Sequence, residues 1–300
     1  MQVIIALFPL IVLITMGYVL KRSQFLQPEF WRGAEQLNYF ILFPILLFIH
    51  LGFVELNVSK IQSVVLATLS SIFIISLVLW ILHIVFGIPA RRFGVYVQSQ
   101  IRFNTYIGLS LMAALFGAAG LQSFAMMMLV AIPTVNVISV WAFSQGQGLS
   151  IFKIIKTVLK NPLILGCIVG LIFNLLDIEI FAGLYDLMKL LGNTSLPLGL
   201  LCVGAGLQFT ALRKSLLRLS LNTLARLLIV PLTAYTVCHL YGLNPLSTMI
   251  VTIFFALPTA TAGYILTKIL HGDSELMAGI ISLQTLCFAF SFPLLMWVLF

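Results

Sequence analysis

Charge is scarce in this sequence, and negative charge is the scarcest: 8% of its 300 residues are charged, with 8 carboxylates against 16 basic side chains. A soluble domain carries about a quarter of its residues charged. With 61% hydrophobic residues and a mean hydropathy of +1.16, the chain is excluded from that class and reads as an integral membrane protein. There is no room for a soluble domain either, because the longest stretch that does not read as membrane is about 144 to 161. A G-x-x-x-x-G-K-[ST] phosphate loop is absent, which excludes a built-in ATP motor and leaves secondary or passive transport. H-E-x-x-H and G-x-S-x-G are missing, as is a pair of intramembrane carboxylates, so an enzyme has no parts to work with. Cys167, Cys202, Cys238 and Cys287 lie in apolar runs without C-x-x-C spacing, and His50, His83, His239 and His271 are scattered. Neither set makes a metal or redox centre. No cofactor, no metal and no nucleic-acid partner is expected. The first segment, Val3 to Leu20, lacks a preceding positive region and is followed by Lys21 and Arg22, the reverse of a secretory signal. It reads as a retained helix that enters from outside.

What is present is a series of apolar runs. Hydropathy and breakers predict ten membrane segments, at about 3–20, 32–52, 61–86, 93–116, 121–143, 162–176, 181–207, 219–241, 246–270 and 277–299. The odd-numbered connections carry Lys21, Arg22, Arg32, Arg91, Arg92, Lys153, Lys156, Lys160, Arg213, Lys214, Arg218 and Lys268, and the others carry only Lys60. By the positive-inside rule this imbalance predicts a multi-pass cell-membrane protein with both termini outside, and with Glu55, Asp177 and Glu179 on the outer side. Trp31, Trp80, Trp141 and Trp297 near segment ends read as an interfacial belt, and Lys153-Ile154-Ile155-Lys156 as a helix on the cytoplasmic surface.

The two halves share a register. Pro9 and Gly17 return as Pro162 and Gly170, and Pro44 and Pro197 each follow the first proline of their half by 35 residues. Phe103-Asn104-Thr105-Tyr106-Ile107-Gly108 aligns with Pro258-Thr259-Ala260-Thr261-Ala262-Gly263 at an offset of 155. A repeat with an odd number of crossings inserts its second copy upside down, so residues 1–143 and 162–300 are expected to be two inverted five-helix repeats joined by a cytoplasmic connector, 144–161.

In such repeats the binding site lies near the midplane, where paired helices are interrupted. Segments 4 and 9 are the candidates. Arg102, Asn104, Thr105 and Gly108 interrupt one, and Pro258, Thr259, Thr261 and Gly263 interrupt the other, with Gly108 and Gly263 as the hinge or helix-break positions. Second half-helices beginning there would aim their positive N-termini at a common centre suited to an anion, while the ends of the first halves, with Asn104 and Thr259, suit a small cation or a water. The plainer alternative is a pair of kinks in packed helices. Arg102 costs about 2.5 kcal/mol or more near the bilayer centre. It is either an anion receptor, a fixed charge in place of a coupling cation, or a side chain reaching to the interface. Arg226 is explained by snorkelling as readily as by a site. Asn38, Asn136 and Gln284 are further polar groups that line a site or tie helices together. Glu35 is a shallow candidate for a proton relay, and Asp186 and Lys189, three residues apart, are placed to pair with each other.

Leu37-Asn38-Tyr39-Phe40 with Pro44, the Arg102 to Gly108 stretch followed by Leu115-Phe116-Gly117, Pro133 with Asn136, Asn161-Pro162, Leu196-Pro197-Leu198 with Gly204-Ala205-Gly206-Leu207, Pro231-Leu232, and Leu257-Pro258-Thr259-Ala260 with Gly272-Asp273 together resemble the auxin efflux carrier family of permeases. The resemblance runs over nearly the whole chain and implies an all-α, ten-helix fold akin to the bile acid sodium symporters. It implies a scaffold of helices 1, 2, 6 and 7 and a transport domain of helices 3–5 and 8–10, with broken helices 4 and 9 crossing. It also implies a small organic anion such as a carboxylate as substrate, Asn104 and Pro258 as crossover residues of the binding site, and a homodimer through the scaffold. A carrier working by alternating access follows, with a proton or sodium as the coupling ion left open. A sodium-coupled symporter of the bile-acid type is the alternative, and a passive channel the next.

Overall fold

The computed structural model describes residues 2–53, 58–144, 161–214 and 216–300. Glu55 and the connector residues 145–160, including Lys153, Ile154, Ile155 and Lys156, lie outside the described residues. Every regular element among those described is helical. In chain order they are α1 (Gln2–Arg22), α2 (Pro28–Leu37), a π-helical turn (Asn38–Leu42), α3 (Phe43–Gly52), α4 (Val58–Phe86), α5 (Ala90–Ile101) and α6 (Thr105–Phe143). The second half holds α7 (Pro162–Leu175), α8 (Ala182–Ala205), a 3-10 turn (Phe209–Lys214), α9 (Leu216–Leu224), a second π-helical turn (Ala225–Ile229), α10 (Val230–Leu240), α11 (Pro245–Ala256), α12 (Ala262–Ile269) and α13 (Ser274–Leu299).

Among the described residues seven helical stretches are long and apolar enough to cross a membrane, one of them running from Ala90 to Phe143, and α7 and α11 are shorter apolar helices. The all-helical membrane class expected from composition is therefore found. The long stretch is not one straight rod. It is interrupted at residues 102–104, and inside α6 Gly117 takes φ 58°, ψ −140°, a conformation open to a residue without a Cβ.

Helix starts follow local rules. Asn161 and Asn244 each cap a helix whose first residue is proline: Leu163 N donates to Asn161 Oδ1 at 2.9 Å, and Ser247 N to Asn244 Oδ1 at 2.9 Å. Asp273 accepts from Leu276 N at 3.1 Å at the head of α13.

The chain divides into two compact units. The first comprises residues 1–58, 109–129 and 155–206. Its helices pack backbone to backbone: a Cβ on Gly17 would fall 2.0 Å from Leu201 O, and one on Gly204 1.8 Å from Ile14 O, so α1 and α8 approach as closely as glycine permits. Gly166 and Gly170 bring α7 close to α3 as well, where a Cβ would fall 2.6 Å from Pro44 O and 2.9 Å from Phe48 O. In this unit Trp31 is 6% exposed and edge-on to Phe30 at 5.3 Å, so it is a packed side chain and not part of an interfacial belt. An Asp186–Lys189 ion pair is not found among the described residues; Arg92 and Asp273 pair at 3.7 Å in the second unit.

The second unit comprises residues 59–108, 130–154 and 207–300. Val95, Leu219, Leu276, Met277, Ile280 and Ile281 form an apolar cluster within it. A second and polar core lies in the same unit, described next.

Candidate functional site: two helix breaks joined by a polar network

Two interruptions define the site. α5 ends at Ile101, Arg102 and Asn104 are extended (ψ 149° and 105°), and α6 begins at Thr105. α11 ends at Ala256, Leu257 is extended with ψ 144°, and α12 begins only at Ala262. The second break follows from sequence: the ring of Pro258 disfavours a helical conformation at the preceding Leu257. The first follows from Asn104, whose Oδ1 accepts from Ile107 N at 3.2 Å and caps α6, while its backbone N donates to Pro258 O at 2.8 Å. That bond ties the two breaks together directly.

Backbone polar groups freed by a break inside a membrane protein must be satisfied by the protein itself. Here they are, largely by side chains. Thr259 N donates to Gln284 Oε1 at 2.9 Å, and Gln284 Nε2 passes on to Asn222 Oδ1 at 3.0 Å. Asn222 Nδ2 donates to Ser99 Oγ at 2.8 Å, and the Asn222 carbonyl accepts from Gln100 Nε2 at 2.9 Å. Gln98 Nε2 reaches Thr267 Oγ1 at 2.9 Å, and Thr267 Oγ1 donates to Gly263 O at 2.7 Å. Gln98, Ser99, Gln100, Asn104, Asn222, Thr259, Thr267 and Gln284 are all buried.

Two guanidinium groups belong to this core. Arg102, 9% exposed, donates from Nη2 to Asn136 Oδ1 at 2.6 Å, short as a charge-assisted bond should be. Its side chain does not reach an interface. Arg226 is 0% exposed and sits in the π-helical turn; its Nε donates to Leu257 O at 2.8 Å, and its Nη1 donates to Gln100 O. Snorkelling, which the sequence left open, is thereby replaced by capture of two main-chain carbonyls. Among the described residues these two arginines are the buried charged side chains, and no carboxylate is buried with them.

Of the positions expected from sequence, Arg102, Asn104, Asn136, Pro258, Thr259, Gln284 and Gly263 fall in this one region. A Cβ on Gly263 would lie 2.4 Å from Met277 Cε and 3.8 Å from Arg102 Cδ. Gly108 N donates to Asn104 O at 2.9 Å in the first turn of α6, and Thr105 opens that helix. Thr261 precedes α12 without a side-chain cap. Asn38 lies in the first unit, where its Nδ2 donates to Ser195 O at 3.0 Å and its Oδ1 accepts from Ser195 Oγ at 2.7 Å. Asn222, Gln98 and Gln100 were not anticipated, and the sequence leaves Arg226 open between snorkelling and a site. Asn222 and Arg226, one turn apart in an apolar run, carried a signal that was readable.

Several buried polar atoms have no partner among the described residues: the donors Asn104 Nδ2 and Arg226 Nη2, and the acceptors Gln98 Oε1 and Gln100 Oε1. Buried polar groups are normally paired, so these four atoms around the two breaks call for an explanation. Residues 148–296, which contain α11, α12 and Arg226, match the family model described as membrane transport protein. A comparison with curated proteins gave no match.

Proposed function

Since the chain belongs to the auxin efflux carrier family of membrane transport proteins, we propose that it is a carrier, secondary or facilitative, for a small organic anion, most simply a carboxylate. The substrate binds where the two broken helices meet, and the second unit moves as the transport domain by alternating access. The observation that carries this reading is the joined pair of breaks with Arg102 and Asn104 at its edge. A buried guanidinium, an orphaned amide donor and the N-terminus of α6 are each complementary to a carboxylate.

Ten crossings fit the helices if the Ala90–Phe143 stretch counts as two and α7 and α11 each count as one beside the other six long spans. The two inverted five-helix repeats then follow from the register shared by the halves. The division into units supports a scaffold of helices 1, 2, 6 and 7 and a transport domain of helices 3–5 and 8–10, with the difference that residues 109–129 cluster with the scaffold. A proton or sodium as coupling ion, a homodimer through the scaffold, and both termini outside belong to the same reading.

The test is uptake of labelled small carboxylates into proteoliposomes, with sodium and proton gradients set independently and counterflow run alongside. Saturable uptake with counterflow is expected. Flux that neither saturates nor shows counterflow would replace the carrier by a channel, and strict sodium dependence would replace it by a symporter.

A further inference from the structure

We propose that Arg226 is the resident cation of the crossover, occupying with its guanidinium the place that a coupling sodium ion takes in carriers whose broken helices coordinate one. This rests on the crossover being the carrier's working site.

The half-helix α5 ends one residue after Gln100, and Leu257 is the C-cap of the half-helix α11. Each helix C-terminus presents unpaired carbonyls and about half an elementary negative charge. Two such ends meeting in a dry core ask for about one positive charge. Inverted-repeat carriers that couple to sodium supply it by binding the ion on unwound carbonyls and half-helix C-termini. Here a single guanidinium takes one carbonyl from each end, Gln100 O and Leu257 O, and it does so with no exposed surface. The helix that bears it is widened by a π-turn at that point, a local device common where a side chain must be aimed at a site. Gln100 is fixed a second time through Nε2 to the Asn222 carbonyl, one turn before Arg226, so the carbonyl and its cation are carried by the same pair of helices. The charge is covalently part of the chain, and it neither leaves nor needs a gradient. It follows that the anion site does not depend on sodium and that removing the guanidinium creates a cation requirement.

The purified full-length protein is melted in detergent in sodium chloride and in choline chloride at equal ionic strength. The wild type is expected to unfold at the same temperature in both. Arg226→Ala is expected to lose about 10 °C in choline, and sodium or added guanidinium ion is expected to restore part of that loss with saturation. Arg226→Lys, which keeps the charge, is expected to remain indifferent to sodium. A saturable sodium-specific rise in the wild type overturns the proposal, as does a sodium response in Arg226→Lys or an Arg226→Ala protein that neither ion restores. Where Arg226→Ala gives no folded protein, the wild-type and lysine titrations decide. None of these measurements uses a substrate. Absence of any carboxylate uptake in proteoliposomes would therefore remove the anion reading and leave the melting result standing.

Discussion

Asn222 serves three polar partners with one side chain and one carbonyl: it accepts from Gln284 Nε2, donates to Ser99 Oγ, and takes Gln100 Nε2 on its backbone oxygen. Asn222→Ala removes the side-chain pair and leaves Gln284 Nε2 and Ser99 buried without it, a cost of about 2 to 3 kcal/mol. A fall in melting temperature of about 5 °C or more is the expected result. Arg102 lends itself to a sharper comparison, because Asn136, which accepts from its Nη2, is uncharged. Arg102→Ala should abolish anion uptake while leaving expression intact. Asn136→Asp should lower uptake by about tenfold or more, since the new carboxylate competes with the substrate for the guanidinium, and Asn136→Ala should do less harm. Equal effects of the two Asn136 substitutions in the uptake assay would separate Arg102 from the substrate. These residues were visible in the sequence to different degrees. Arg102 and Asn104 interrupt the middle of an apolar run, where a simple kink or a reach to the interface explains them less readily than a site does. Arg226 sits close enough to a segment end that a long flexible side chain reaching for water accounts for it equally well, and only its partners, 126 and 31 residues away, remove that account.

At the level of the helix, the breaks near residues 104 and 258 were legible because proline and a capping asparagine act locally, on their own neighbours. The π-turns at Asn38–Leu42 and Ala225–Ile229 were not, because an extra residue in a helical turn is decided by what the widened turn faces. Gly117 is intermediate: a boundary was expected there, and the structure gives it as a single residue at φ 58°. Gly117→Ala should cost about 1 to 3 kcal/mol in thermal unfolding. Gly204→Leu asks more of the first unit, since its Cβ would fall within 1.8 Å of a carbonyl oxygen that belongs to α1. Loss of the monodisperse peak in size-exclusion chromatography is the expected outcome, and a normal peak would mean that α1 and α8 do not pack through these glycines.

For the molecule as a whole, the telling feature is the sign of what is buried. Arg102 and Arg226 are buried, no carboxylate joins them among the described residues, and both lie in the unit proposed to move. In the proposed cycle an arriving monoanion cancels one of those two charges. The empty and loaded forms of the moving unit therefore differ by one elementary charge, and the membrane potential distinguishes them by up to about 2.3 kcal/mol per 100 mV. Voltage thus acts unequally on the two legs of the cycle. Anion-for-anion counterflow, which uses the loaded leg in both directions, and net uptake, which must return the unit empty, should show different slopes against a potassium diffusion potential set with valinomycin. Identical slopes would mean that a cation crosses together with the anion, so that the loaded and empty forms carry the same charge.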